Sequence, residues 1–422
     1  MLKYKKKEFK AYNLHMIKTD KFKTINMEII FSNIIKKDKI TINNFLGSIL
    51  SYTTKKYPTK IDYSRKLEEL YAARIFTSGY RVGKYHNIDF NITVLNDKYS
   101  KEGNFKDTLE FLHEVIFNPN VKDGLFDEDS FNVAYNDELS QIERIKEDPR
   151  RESLMKLYGI VNPDAEYSYN MDGYKEDLEK IDRKNLYEYY KEFINNSSVD
   201  IYVVGDINFN EIEELIEKYF TFKDNKKLLN NPGIEEKVHN KKVNEVFEKD
   251  ETNQAKLSIA CTLEGLTEYE KKYSLNIYNL MLGGTADSKF FKNIREKHSL
   301  CYYISSNGNK LDNLLIIASG ITKDNYKKII KLINKEMDDM RKGDFSEEDL
   351  DKAIKYNVAV LEEIEDKPNQ IIASFYAQDK MGTDSIEERL NKVKKVSKED
   401  IMKVANKIHI DSIFLLGGDK KW

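Results

Sequence analysis

The run Gly283-Gly284-Thr285-Ala286-Asp287-Ser288-Lys289-Phe290-Phe291-Lys292-Asn293-Ile294-Arg295-Glu296-Lys297-His298-Ser299-Leu300-Cys301-Tyr302-Tyr303 holds the chain's most chemically suggestive spacing. It places a guanidinium, Arg295, seven positions before a phenol, Tyr302. Both groups are good donors to a carbonyl oxygen that gains negative charge. Each piece also has an ordinary reading. Gly-Gly makes a turn, Arg-Glu-Lys a solvated helix end, and Leu300 to Ile304 a strand. Elsewhere the residue types that do chemistry are scattered. The six histidines are His15, His86, His113, His239, His298 and His409, and no two lie close enough in sequence to make a local ligand pair. His113-Glu114 reads as a polar pair on an amphipathic helix, because zinc needs three or four convergent ligands. No nucleophile–base constellation stands out.

The elements that must position these residues occur twice. Asp200-Ile201-Tyr202-Val203-Val204-Gly205-Asp206 matches Ser412-Ile413-Phe414-Leu415-Leu416-Gly417-Gly418-Asp419. Both are short apolar strands ending in glycine, and both follow an amphipathic helix that starts at a capping residue, Asp182 or Ser397. Phe126-Asp127-Glu128-Asp129 opens a helical pattern that stops at Asp148-Pro149. Phe345-Ser346-Glu347-Glu348 opens another that stops at Lys367-Pro368. The same number of positions separates cap from proline in both, Ser346 with Asp349 has capping-box character, and each proline is expected to end or kink its helix. These coincidences predict duplication: one half over residues 1–225, a linker over 226–239 and a second half over 240–422. The linker lies in the polar stretch Lys223–Asn244, which contains Asn231-Pro232-Gly233. Ile88–Leu95, Ala255–Cys261 and a segment within Leu311–Ile321 read as half-buried strands. The predicted fold is α+β, with a mostly antiparallel sheet packed with helices in each half.

At 422 residues the chain suffices for two or more domains. Its net charge is −3 with the signs well mixed, which argues against a nucleic-acid-binding stripe. No segment approaches eighteen apolar residues, so no membrane span is expected. The start, Lys3 to Lys10, lacks the apolar core of a signal peptide and reads as a solvated terminus leading into a strand. Cys261 and Cys301 are the only cysteines, which fits a reducing cytoplasm.

The Gly283–Tyr303 run resembles the second-half signature of the insulinase/pitrilysin-like metallopeptidases. In active members the Arg and Tyr reach across a chamber to hold substrate and support the tetrahedral intermediate, and the resemblance puts those roles on Arg295 and Tyr302. Asn44-Phe45-Leu46-Gly47-Ser48, followed by Tyr57-Pro58, resembles the family's zinc helix. There an inverted H-x-x-E-H motif supplies two ligands and the water-activating Glu. Asn44, Gly47 and Ser48 stand in their places and cannot do that work. The family's third ligand, a Glu on a later helix, falls on Ser140 or Gln141, with Glu138 nearby. The stretch from Tyr57-Pro58 to Leu95-Asn96-Asp97 resembles in particular the zinc-less bacterial members encoded beside a zinc-bearing relative. Among them are proteins associated with aminopentanol modification of elongation factor P. The resemblance further implies paired halves closing as a clamshell and a substrate-binding edge strand near Arg74–Ser78.

The resulting expectation is a non-catalytic subunit of a heterodimeric zinc peptidase. This chain would bind no metal or other cofactor, the homologous partner would carry the zinc, and the substrate would be a peptide. Rival expectations are a purely structural role and a peptide-holding pseudopeptidase with no part in cleavage.

Overall fold

The computed structural model describes residues 2–223, 229, 231–250 and 254–417. Positions 226–228 and 230 of the expected linker, and Gly418 and Asp419 of the repeated strand motif, lie outside the described residues. The chain is an α+β protein with two mixed sheets packed with helices. It divides into two compact units, and neither is one continuous stretch. Unit 1 comprises Met1–Arg144, Asn170–Pro232 and Glu365–Met381; unit 2 comprises Ile145–Tyr169, Gly233–Ile364 and Gly382–Trp422.

Unit 1 holds β1 (Lys3–Glu8), β2 (Tyr12–Lys18), β3 (Thr24–Ile34), β4 (Arg74–Val82), β5 (Tyr85–Leu95), a two-stranded ribbon of β6 (Val121–Lys122) and β7 (Leu125–Phe126), and β8 (Ser198–Gly205). Its main sheet runs β1-β2-β8-β3-β5-β4, and only β2 and β8 pair in parallel. Unit 2 holds β9 (Asn244–Glu248), β10 (Ala255–Leu263), β11 (Cys301–Asn309), β12 (Leu314–Ile321) and β13 (Ile408–Leu416). Its sheet runs β11-β12-β10-β13-β9, with β13 and β9 the parallel pair. Remove β1 and the two strand orders coincide position by position, including the parallel pair. That is the connectivity a duplicated half gives.

Local signals set the helix starts. Asp182 and Ser397 close capping boxes on the helices Arg183–Asn196 and Lys398–Ala405. Asp127 caps Glu128–Glu143, and Ser346 with Asp349 boxes Glu347–Glu362. The prolines do more than stop these helices. Pro149 and Pro368 are the first residues of new helices, Pro149–Val161 and Pro368–Met381, where a missing N–H costs nothing.

Those two helices belong to the exchanged segments. Leu157 and Val161 pack with Ala260, Ile316, Phe414 and Leu416 on the unit 2 sheet. Ile371, Ile372 and Tyr376 pack with Ile17, Ile30, Tyr202 and Val204 on the unit 1 sheet. The other face of each sheet carries the main core of its unit. The expectation of half-buried strands is corrected accordingly: β5 and β10 are buried along nearly their whole length, on both faces.

The exchanged helix in unit 1 also brings charge inside. Lys380 Nζ lies 2.7 Å from Asp200 Oδ2, and both side chains are buried. Asn13 Nδ2 donates to Asp200 Oδ1 at 2.8 Å, and His15 Nε2 stands 3.5 Å from the same oxygen. Full burial alone would raise the Asp200 pKa, but the His15 contact and the Lys380 charge hold it down to about 2. The lysine-rich start is itself the edge strand β1. Lys5 and Lys7 both pair with Glu213, and the lysines protect the open edge. Among the described residues no helix is long and apolar enough to cross a membrane.

Candidate functional site

The helix Ile40–Leu50 places Asn44, Gly47 and Ser48 on one face, one turn apart. That face lines a cleft of about 650 Å³ in unit 1. The other walls are Ile75–Gly79 of edge strand β4, the 137–144 end of the helix starting at Glu128, and Met171 with Asp172.

Asn44 sits in a directional chain of hydrogen bonds. Tyr189 Oη donates to Asn43 Oδ1 at 2.7 Å, and Asn43 Nδ2 lies 3.2 Å from His86 Nδ1. His86 Nε2 lies 3.1 Å from Asn44 Oδ1, and Asn44 Nδ2 donates to the Met171 carbonyl at 2.7 Å. One tautomer satisfies every link: His86 accepts at Nδ1 and donates at Nε2. Burial pushes the His86 pKa down to about 4, so the ring is neutral at physiological pH. Both ring nitrogens are thereby spent, and the Asn44 carboxamide is held at its oxygen and its nitrogen; a carboxamide oxygen is in any case a poor zinc ligand.

Gly47 is fitted as tightly. A Cβ there would meet Ile88 Cγ2 at 2.9 Å, so a side chain must displace the β5 wall. On β4, a Cβ at Gly79 would lie 2.4 Å from Asn44 Oδ1, so glycine lets the strand close over the asparagine. Ser140, an expected third-ligand position, is exposed and turns its hydroxyl back to the Asn136 carbonyl at 2.8 Å. Gln141 is exposed on the cleft rim. The acid facing inward is Glu138. Burial, then the nearby carboxylates of Asp172 and Asp137, push its pKa up to about 8, so it is mainly protonated at neutral pH. Asp137 takes a hydrogen bond from Tyr52. The face is acidic and hydrogen-bonded, and its residues do not fit a zinc site.

Arg295 and Tyr302 belong to unit 2. Arg295 stands near the end of the π-helical segment Phe290–Glu296, its guanidinium 4.6 Å from the centre of the Phe291 ring. A turn follows in which Ser299, at φ 51°, donates its N–H to the Arg295 carbonyl at 3.1 Å. Tyr302 is then the extra residue of a β-bulge: Cys301 pairs with Ile321 and Tyr303 with Gly320, leaving Tyr302 unpaired. A bulge re-aims a side chain, and Tyr302 is 65% exposed. Neither Arg295 nor Tyr302 makes a side-chain hydrogen bond or ion pair among the described residues. Tyr303, the next phenol along the chain, is occupied. Its ring lies 5.0 Å from the Arg150 guanidinium and rests over Gly320, where a Cβ would meet it at 2.6 Å. Upstream, a Cβ on Gly283 would lie 2.6 Å from Ser306 Oγ, which accounts for a glycine there.

The sequence reading missed His86, which looked like one unpaired histidine among six. Its partners come from the helix Ile40–Leu50, far off in the sequence, and no local spacing encodes them. His113 is as expected, its Nδ1 bonded to the Tyr219 carbonyl at 2.7 Å.

The fold is that of an M16-type peptidase, and the residues on this helix face do not fit a zinc site. The model of the peptidase M16 inactive domain matches residues 180–357. A Bacillus subtilis (strain 168) protein described as probable inactive metalloprotease YmfF is 30% identical over 411 residues, covering 96% of this chain and 95% of the relative. From the same organism, the uncharacterized zinc protease YmxG is 25% identical over 254 residues, 58% of each chain. The crystal structure of a conserved protein from Enterococcus faecalis V583 matches with a TM-score of 0.90 at 24% identity, covering 99% of both chains. The chain therefore belongs to the M16 peptidase family, as a homologue of its inactive members.

Proposed function

We propose that this chain is the non-catalytic subunit of a heterodimeric zinc peptidase that processes peptides. The observation that carries the reading is a contrast within the chain. Of the zinc-helix positions, Asn44 is tied into a hydrogen-bond chain and Gly47 is fitted against Ile88. Arg295 and Tyr302 stay exposed, with no side-chain hydrogen bond to hold them among the described residues. A protein kept only for its shape has no need of a bulge that turns a phenol outward. In this reading a homologous zinc-bearing subunit, of the class to which YmxG's description points, supplies the metal and the water-activating Glu. This chain supplies two donors to the oxyanion. Edge strand β4, which pairs only with β5 among the described residues, offers backbone groups for an extended peptide. The finer kinship is with the zinc-less proteins associated with aminopentanol modification of elongation factor P, acting in the cytoplasm.

The test is co-expression with a zinc-bearing M16 homologue from the same source. Co-elution, with peptide cleavage that neither chain shows alone, supports the proposal. Co-elution with cleavage by the partner alone at the full rate favours a structural role. The acidic cleft along β4 supports a second reading, a pseudopeptidase that holds peptide without cleaving it. Peptide binding by the isolated chain, with no partner recovered, would favour that.

A further inference from the structure

We propose that His239, Glu264 and His409 form a site in unit 2 for one divalent transition-metal ion of the zinc, nickel or copper class. The ion would fasten the segment before β9 to the ends of β10 and β13. The site is separate from the degenerate zinc helix, which lies in unit 1, and departs from the expectation that the chain binds no metal.

Three distant stretches bring the donors together. Glu264 follows the last residue of β10, and His409 lies in β13 opposite Thr262 in the sheet register. His239 arrives from the non-helical segment leading to β9. One potential ligand atom from each of the three lies within 4.8 Å of the others. A filled site with bonds of about 2.0–2.2 Å holds its donors roughly 3–3.5 Å apart. Closing the gap takes an approach on the order of an ångström and a rotation of the near-parallel imidazole rings, because each nitrogen lone pair lies in its ring plane. All three residues are only partly buried, so they can move, and water can complete the coordination.

The carboxylate is already fixed. Glu264 Oε1 accepts the His239 backbone N–H at 2.7 Å and the Thr262 hydroxyl at 2.8 Å, and lies 2.8 Å from His239 Nδ1. Its Oε2 takes no hydrogen bond among the described residues. A simple His–Glu contact would explain His239, but it leaves His409 unexplained. The His409 ring lies 4.5 Å from the His239 ring and 23° from parallel, with no hydrogen bond from its nitrogens among the described residues. Two imidazoles beside one anchored carboxylate make an N₂O donor set. That set suits zinc, nickel or copper and not the all-oxygen preference of magnesium or calcium. Three protein ligands leave a position for water.

The test uses the full chain, stripped of metal and titrated with Zn²⁺ by calorimetry and equilibrium dialysis. The expected result is about one equivalent bound in excess Mg²⁺. His239→Ala and His409→Ala should each weaken binding at least about tenfold, with circular dichroism unchanged. His409→Gln serves as a second, gentler removal should the alanine variant fold poorly. Zn²⁺ binding that persists undiminished in a folded His239→Ala/His409→Gln double variant would overturn the assignment. So would a parent chain that binds no zinc at millimolar concentration.

Discussion

At the scale of single residues, Asn44 is held between the His86 ring and the Met171 carbonyl, and Gly47 is fitted against Ile88. The positions of Asn44, Gly47 and Ser48 could be read from the motif they interrupt, because one helical turn sets their spacing. What replaced the metal could not, since His86 and Tyr189 reach Asn43 and Asn44 from other elements. This replacement has a consequence for repair. The triple change Asn44→His, Gly47→Glu, Ser48→His is expected to give no peptidase activity. The third ligand is missing as well, and residue 47 has no room. Gly47→Glu alone should cost about 1–3 kcal/mol through overpacking against Ile88, read from urea unfolding. Activity in the triple variant approaching that of a zinc-bearing relative would refute this account. For the exposed pair the expectation reverses. Arg295→Ala and Tyr302→Phe should each leave stability within about 0.5 kcal/mol. In the complex with a zinc-bearing partner they should slow cleavage by about 10²–10³, with assembly and partner zinc unchanged. Steady-state kinetics on the purified complex decides it.

At the scale of elements, caps and strands were legible because their signals are local. Asp182, Ser346 and Ser397 cap as their types dictate. The burial of β10 on both faces was not legible, because the helix Pro149–Val161 that covers its second face lies far off in the chain. Two buried acids make the packing testable by pH, with opposite signs. Asp200 is held at about 2, below its unfolded value of about 3.9. Its contribution is therefore complete above pH 4 and is lost as pH falls toward 2. Lys380→Ala strands this carboxylate without its cation and should cost about 3–5 kcal/mol at pH 7. Asp200→Asn in the same chain should recover part of the loss. Glu138 is raised to about 8, so the folded state holds its proton more tightly than the unfolded chain. Its contribution is complete below about pH 4.3 and declines as pH rises toward 8. Glu138→Gln should therefore match the parent at pH 4 and exceed it in stability at pH 8.5. Urea midpoints at the two pH values check the sign.

At the scale of the whole molecule, duplication was legible and exchange was not. Matching caps and prolines announce a repeat, but a helix sequence does not say which sheet it will cover. The repeat is nonetheless consistent. Both prolines open a helix, and each helix leaves the sequence half that encodes it. A chain cut within 226–239 should therefore not yield two separately stable pieces. The 1–225 piece alone lacks the cover for Ile17, Ile30, Tyr202 and Val204, and should be insoluble or molten unless 226–422 is produced with it. Solubility and near-ultraviolet circular dichroism of the separate and co-produced pieces would show this, and a cooperatively folded 1–225 would contradict it.

The same exchange sets a schedule for synthesis. Once Gly205 has left the ribosome, every strand of the first sheet exists. One apolar face of that sheet still waits for Ile371, Ile372 and Tyr376. At typical elongation speeds the wait is roughly ten to thirty seconds. Through that interval the nascent chain presents a bare sheet surface with a buried-type aspartate and no lysine beside it. Chaperone demand during translation, rather than the stability of the finished protein, is then the step at which substitutions on this face would first be felt.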